Sequence, residues 1–295
     1  MMYGTISSQG IARPTRADSL GFGPVYRFGN VSGDRSTSVS LSANRRWKSG
    51  AVVQAGYTWS STLDIMAMTG LIGDVILRNN PVDGTLASRV RRRSARDIPH
   101  TLFASAVVPA WRGFVTSAYM RARSGTPYAF TVGGDANADG APTNDLAFIP
   151  LEAGDISLAD PALYAALDEF IESRACLRNQ RGRLLTRNSC RNPGVLALDG
   201  RITKRIWSRH SRAFEISADL FNLPNMMNED WGLVRETSSQ EDVRLLPIVG
   251  WDAERNRPRY SVTRDATGRP IFPAIDRVSV ESSRWRVQIG VRYDF

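Results

Sequence analysis

Asp135-Ala136-Asn137-Ala138-Asp139-Gly140 is the stretch of this chain whose residue types and spacing come nearest to chemistry. Carboxylate and amide oxygens at alternate positions of a tight turn can converge on one hard cation, and Gly140 permits the sharp bend. This is how a calcium loop begins. Such a loop ends on a bidentate glutamate, and here Leu146 holds that place. Asp145 falls one residue early, with Asn144 beside it. Calcium ligands are therefore expected at Asp135, Asn137, Asp139 and Asp145, against the alternative of an Asx-rich turn with no ion. No other cofactor is expected.

Cys176 and Cys190 are the two cysteines, and they flank the basic loop Arg178 to Arg187. In an exported chain an even count reads as one disulfide, the alternative being two reduced thiols. Closing a loop of about 15 residues constrains the unfolded chain by about 3 kcal/mol. A metal site at the pair is not expected, because no histidine stands near it. His100 and His210 are the two histidines. Asp97 lies close to His100, yet no G-x-S-x-G elbow accompanies them, and no phosphate-binding loop is found. The chain is not expected to be an enzyme.

These side chains need elements to hold them, and the clearest element is Arg284 to Phe295. Trp285, Val287, Ile289, Val291, Tyr293 and Phe295 share one parity; Arg284, Arg286, Gln288, Gly290, Arg292 and Asp294 share the other. A strand points successive side chains to opposite faces, so this strand has one apolar and one polar face. Aromatics at both ends with aliphatics between is the pattern of a lipid-facing strand with two interfacial girdles. About ten tilted residues cover a bilayer core of roughly 25 Å. An edge strand of a soluble sandwich would alternate too, but does not call for aromatics at both ends.

The pattern recurs upstream. Ser36 to Trp47 and Ala51 to Leu63 form a hairpin around Lys48-Ser49-Gly50, with Val53, Ala55, Tyr57 and Trp59 facing out. His100 to Trp111 and Gly113 to Tyr128 form a second, turning at Ala110 to Gly113. Leu196 to Trp207 and Arg212 to Asn222 form a third, turning at Ser208 to Ser211. With a weaker strand at Pro24 to Val31, eight strands put these turns at one end of the sheet. Trp47, Trp111 and Trp207 then fall at that end, as do Arg45 and Lys204, the cations with lipid-facing parity. An inward row including Arg121, Arg123, Glu215, Asp219, Arg284, Arg286 and Arg292 would line an aqueous interior.

Between the hairpins lie long loops. Asp64 to Ile98 carries Arg89, Arg91, Arg92, Arg93 and Arg96, read chiefly as a solvated cluster. Ala129 to Pro193 contains a helix after Asp160-Pro161, with Leu163, Tyr164, Leu167, Phe170 and Ile171 as a packing stripe. Leu223 to Ser283 holds short strands near Leu245 to Trp251 and Arg259 to Thr263. Met1 to Gly23 reads as loop, without the apolar core of a signal peptide.

Composition agrees with a half-polar membrane strand set. Hydrophobic content is 42% and mean hydropathy −0.27, too low for helical spans. The net charge of +9 comes almost wholly from arginine, Lys48 and Lys204 being the two lysines. No nucleic-acid-binding motif accompanies it, so outer-membrane lipid and lipopolysaccharide are the expected partners of that charge rather than nucleic acid.

The segments SANRRWKSGAVVQAGYTWSSTLD, IPHTLFASAVVPAWRGF, RSGTPYAFTVGGDANADGAPTNDLAFIP, RGRLLTRNSCRNPGVLALDGRITKRIW, DLFNLPNMMN and RWRVQIGVRYDF occur in that order. Together they resemble the C-terminal barrel region of TonB-dependent outer-membrane transporters of the Oar-like branch, which often carry an N-terminal carboxypeptidase-regulatory-like domain. The resemblance spans Tyr26 to Phe295. It implies an all-β fold: about eight antiparallel transmembrane strands of a barrel of roughly 22, with long extracellular loops, one containing a short helix. Residues 1–295 are read as one such barrel part, with no signal peptide, plug or TonB box of their own. The resemblance also implies uptake of an unknown solute, energised by the TonB system through an N-terminal part. It further implies barrel assembly machinery that reads Tyr293 and Phe295. A self-contained small barrel with an adhesin or structural role is the alternative.

Overall fold

The computed structural model describes residues 2–14, 29–67, 72–109, 111–209, 212–237 and 243–295. Seven long strands follow the alternating segments: β1 (Arg35–Arg46), β2 (Val52–Asp64), β3 (His100–Pro109), β4 (Phe114–Arg123), β5 (Val195–Arg209), β6 (Arg212–Phe221) and β7 (Arg286–Asp294). They make one antiparallel sheet in the order β7-β6-β5-β4-β3-β2-β1, so every strand lies beside its sequence neighbours. The two-residue strand Arg92–Arg93 adds an eighth member against the end of β2. Where about eight spanning strands are expected, seven long ones are described. The other expected strand, Pro24 to Val31, lies mostly outside the described residues, and its described end is not in a strand.

The sheet, here called the wall, keeps its apolar side chains outside. Val39, Leu41, Tyr57, Trp59, Ile202, Ile216, Val287, Ile289 and Val291 are all exposed, and they share one face of the register. Trp207, Phe214 and Tyr293 stand abreast on β5, β6 and β7, forming an aromatic row at the turn end. The Trp111 side chain and the His210 turn lie outside the described residues. One irregularity matters for this row. The register shifts between Arg205 and Trp207, a bulge that inserts one residue and restores the outward face. Without it, Lys204 and Trp207, of opposite parity, would point to opposite sides.

The β1–β2 turn closes with Trp47 N–H donating to Ala51 O at 2.9 Å and Gly50 N–H to Trp47 O at 3.0 Å. Gly50 has φ +86°, a left-handed conformation that glycine adopts without a Cβ clash. At this end Arg45 stacks on Trp47 at 5.1 Å, and Lys204 lies over Phe114 at 4.2 Å. Both outward cations therefore sit among girdle aromatics, where the penalty for a charge near lipid falls to about 0–1 kcal/mol.

The expected loops are not loops in the ordinary sense: they fold into a packed body, here called the cap. Phe130, Ile149, Leu167, Ile171, Leu177, Leu185 and Leu246 are fully buried in one hydrophobic core drawn from residues 129–190 and 243–275. A four-stranded sheet frames it: Arg244–Asp252 pairs in parallel with Thr131–Gly133 and antiparallel with Arg257–Tyr260, which pairs in parallel with Ser157–Leu158. The expected helix is Tyr164–Glu172, entered through a turn at Pro161–Leu163 whose Asp160 carboxylate accepts the Ala162 N–H at 3.1 Å. Its stripe packs as expected, with Phe170 stacked on Phe272 at 4.8 Å and edge-on to Phe130 at 5.9 Å.

Where one short helix is expected, Gly73–Asn79, Ala175–Arg178, Leu223–Met227 and Val280–Ser283 are helical too. Nor is Met1 to Gly23 plain loop, since Gly4–Ile6 pairs with Ala12–Pro14. Each of these elements is only three to seven residues long, too short for periodicity to reveal. Among the described residues no helix is long and apolar enough to cross a membrane.

Candidate functional site

Three features of the molecule place side chains where they can act: the inner face of the wall, the rim joining wall to cap, and the acidic loop of the cap.

On the inner face, β5 and β6 carry a ladder of opposite charges. Arg205 meets Glu215 at 2.9 Å and Arg201 meets Asp219 at 3.5 Å. Ser40 and Thr58 share a hydrogen bond at 2.8 Å, Ser36 and Thr62 one at 3.0 Å. Exposed pairs of this kind stabilise by only about 0.2–1 kcal/mol, so their effect is to keep this face wet rather than to hold the sheet together. Ser105, Ser117, Tyr119, Asp199, Arg201, Asp219 and Phe221 border a shallow hollow of about 280 Å³. Asp199, Arg201 and Arg205 were not singled out by sequence reasoning, although their shared parity on β5 is the signal that marks them.

The expected inward row is found on this face with varied partners, except Arg284, which caps the helix Val280–Ser283 before the last strand begins at Arg286. Arg123 reaches Glu236 of the cap at 3.1 Å. Arg286 lies over Phe221 at 5.5 Å. Arg292 pairs with its neighbour Asp294 at 2.8 Å.

At the rim, arginines tie cap to wall. The Arg187 side chain is 2% exposed, and its Nη2 donates to an Asp64 carboxylate oxygen at 2.6 Å and to the Asp64 carbonyl. Arg191 pairs with Asp97 at 2.7 Å and donates to Gly125 O at 2.6 Å. Asp97 in turn accepts the Thr62 N–H at 2.8 Å. His100 shares a 2.7 Å hydrogen bond with Tyr57 on the outer face. The arginine cluster is likewise built in: Arg92 pairs with Asp83 at 2.8 Å, and Arg91 donates to Gly33 O at 2.9 Å. Cys176 and Cys190 form the expected disulfide, with Cα atoms 5.2 Å apart.

The acidic loop is knit by its own side chains. Asp135 accepts the N–H groups of Asp139 (3.0 Å) and Gly140 (2.7 Å), and Asp139 accepts that of Ala141 at 2.8 Å. Asp145 accepts from Ala136 N–H at 2.7 Å and Asn137 Nδ2 at 2.6 Å, closing the loop on itself. Asn144 Nδ2 donates to Asp139 at 3.0 Å. Burial pushes the Asp145 carboxyl up to about 7, with further contributions from the charges of Asp139 and Asp135. Burial also raises Asp135. The four expected ligand residues are thus brought together. Among the described residues, however, no group of three Asp, Glu, His or Cys side chains is placed to hold a metal ion by itself.

At the chain end Tyr293 and Phe295 stack with centroids 6.3 Å apart and interplanar angle 26°, both exposed on the outer face.

Comparison with known proteins agrees with this geometry. No curated protein and no solved structure matches the chain. The family model described as "Outer membrane beta barrel domain" matches residues 3–231, which is 229 of the 295 residues. The matched span includes β1 to β6 and most of the cap core. An apolar exterior, an aromatic row at the turn end and a charged interior are what such a domain requires of its strands. The chain belongs to the outer membrane beta barrel domain family and is a protein of the cell outer membrane.

Proposed function

We propose that this chain supplies barrel wall and extracellular cap to a TonB-dependent outer-membrane transporter of the Oar-like branch. The cap binds a solute outside the cell, and the polar inner face of the wall borders its path inward. The observation that carries this reading is the state of the sheet edges. Among the described residues β1 and β7 each pair with one neighbour only, and not with each other. An open edge in hydrocarbon leaves backbone donors and acceptors unsatisfied, at several kcal/mol per group. Seven strands with two free edges therefore suit a section of a wider wall, of the kind that encloses a plugged lumen.

The alternative, a self-contained barrel serving as adhesin or structural protein, would need β1 to pair with β7. The reading includes lipid and lipopolysaccharide against the outer face, barrel assembly machinery engaging Tyr293 and Phe295, and TonB contacted through an N-terminal part. It includes no catalytic step and no nucleic acid.

The test uses the native protein extracted from outer membranes. A mature polypeptide well above 32.6 kDa that cross-links to TonB in the presence of solute is expected. A mature band of this chain alone, with no cross-link, would overturn the transporter in favour of the small barrel. Deleting Phe295 is expected to reduce membrane levels of the full-length protein sharply, and unchanged levels would remove the assembly role.

A further inference from the structure

The acidic loop carries more negative charge than its neighbours balance. None of the ion pairs formed among the described residues involves Asp135, Asp139 or Asp145. Arg89 stands near enough to Asp139 to feel its charge, yet its Nη1 is buried and makes no hydrogen bond. Each carboxylate oxygen already accepts a neighbouring N–H, but an ionised carboxylate has about four lone-pair sites and so retains capacity for a cation.

A second observation is independent of the carboxylates. Asn144 is fully buried, and its Oδ1 has no hydrogen-bond donor. A buried acceptor without a donor is costly and calls for an explanation, an ion among them. The other end of the same amide, Nδ2, lies 3.0 Å from Asp139 Oδ2, so the group is aimed into the cluster.

We propose that residues 135–145 bind one calcium ion, through carboxylate oxygens of Asp135, Asp139 and Asp145 and amide oxygens of Asn137 and Asn144. No three acidic side chains suffice alone here, and a mixed set of carboxylate and amide oxygens is what calcium takes. Magnesium demands a tighter octahedron and keeps its waters. The site also has a structural consequence. Asn137 O accepts the Tyr3 N–H at 2.7 Å, Asn144 O accepts the Val82 N–H at 2.9 Å, and Thr143 donates to Arg78 O at 2.8 Å. Filling the loop therefore draws two other segments onto it, one at Tyr3 and one from Arg78 to Val82.

The native protein extracted in detergent, stripped with chelator, is titrated calorimetrically with calcium chloride, and its cap is followed by thermolysin digestion. One site per chain is expected, saturating at or below roughly 1 mM, the range of extracellular modules. Bound calcium is expected to slow digestion, and magnesium at the same concentration is not. Asp139→Asn is expected to weaken binding roughly tenfold or more through lost ligand charge. Asn144→Ala is expected to weaken it as well, whereas Asn144→Asp, which presents oxygen at either end, retains it. Absence of calcium heats in the folded wild-type chain overturns the proposal, and so does wild-type affinity in Asn144→Ala. Because the wild-type result stands without any variant, misfolding of Asp139→Asn leaves the test intact.

Discussion

In the wall, Ile289 and Val291 leave 67% and 66% of their surface uncovered, whereas in the cap Ile149, Leu167 and Ile171 leave none. The same kinds of side chain face outward in one region and inward in the other. The wall uses lipid as the solvent for its apolar face and keeps charge inside, as at Arg205–Glu215. The cap does what a water-soluble domain does, with Phe130 and Leu246 at its centre and arginines around it. Burying an apolar side chain among protein atoms stabilises the cap directly. Placing one against acyl chains does not stabilise one strand against another, so the wall depends on its backbone ladder.

The comparison breaks hardest where the two regions are joined. Arg187→Leu leaves the buried Asp64 carboxylate without its partner and is expected to cost about 3–5 kcal/mol. Hydrogen exchange should rise across the cap while the wall keeps its compact mobility in unheated gels. Replacing both Arg187 and Asp64 by leucine is expected to recover much of the loss.

Phe130→Ala removes a fully buried ring and is expected to cost about 3–5 kcal/mol. Thermal unfolding of the cap reads it, again with the wall unaffected. Opening the Cys176–Cys190 bridge by double serine substitution is expected to cost about 3 kcal/mol, measurable as faster thermolysin cleavage between these residues.

Ile289→Arg sharpens the contrast from the other side. A cation at mid-strand on the lipid face is expected to cost about 2–4 kcal/mol. Urea titration of folding into vesicles reads this, and the cap disulfide should still form. Lys204→Ala gives the smallest effect, about 0–1 kcal/mol, because the ammonium already sits at the girdle.

The wall was legible in the sequence, and of the cap only the helix Tyr164–Glu172, strands near Leu245 and Arg259 and the disulfide were, for a physical reason. Every wall strand separates two solvents, so each residue of β7 is forced to one parity and the pattern survives over nine residues. Most strand ends read from that pattern fall close to those in the sheet, as with Ser36 to Trp47 against Arg35–Arg46, but Gly113 to Tyr128 overshoots β4, which ends at Arg123. The bulge beside Ile206 escaped, since the single-residue shift is visible only once Trp207 is seen opposite Phe214.

Cap elements such as Thr131–Gly133 and Ser157–Leu158 are two or three residues long. They pair with partners about a hundred residues away, and no local period announces that. At the acidic loop the motif picked out four residues that the fold does bring together, because oxygen spacing is a local property. The bareness of Asn144 Oδ1 was not legible, because it depends on what surrounds the amide rather than on what precedes it.

Cys190 lies between Arg187, which grips Asp64, and Arg191, which grips Asp97. Its bridge to Cys176 reaches the short helix Ala175–Arg178 inside the cap. That helix is therefore tied by one covalent bond to a short stretch held at the rim by an arginine on either side.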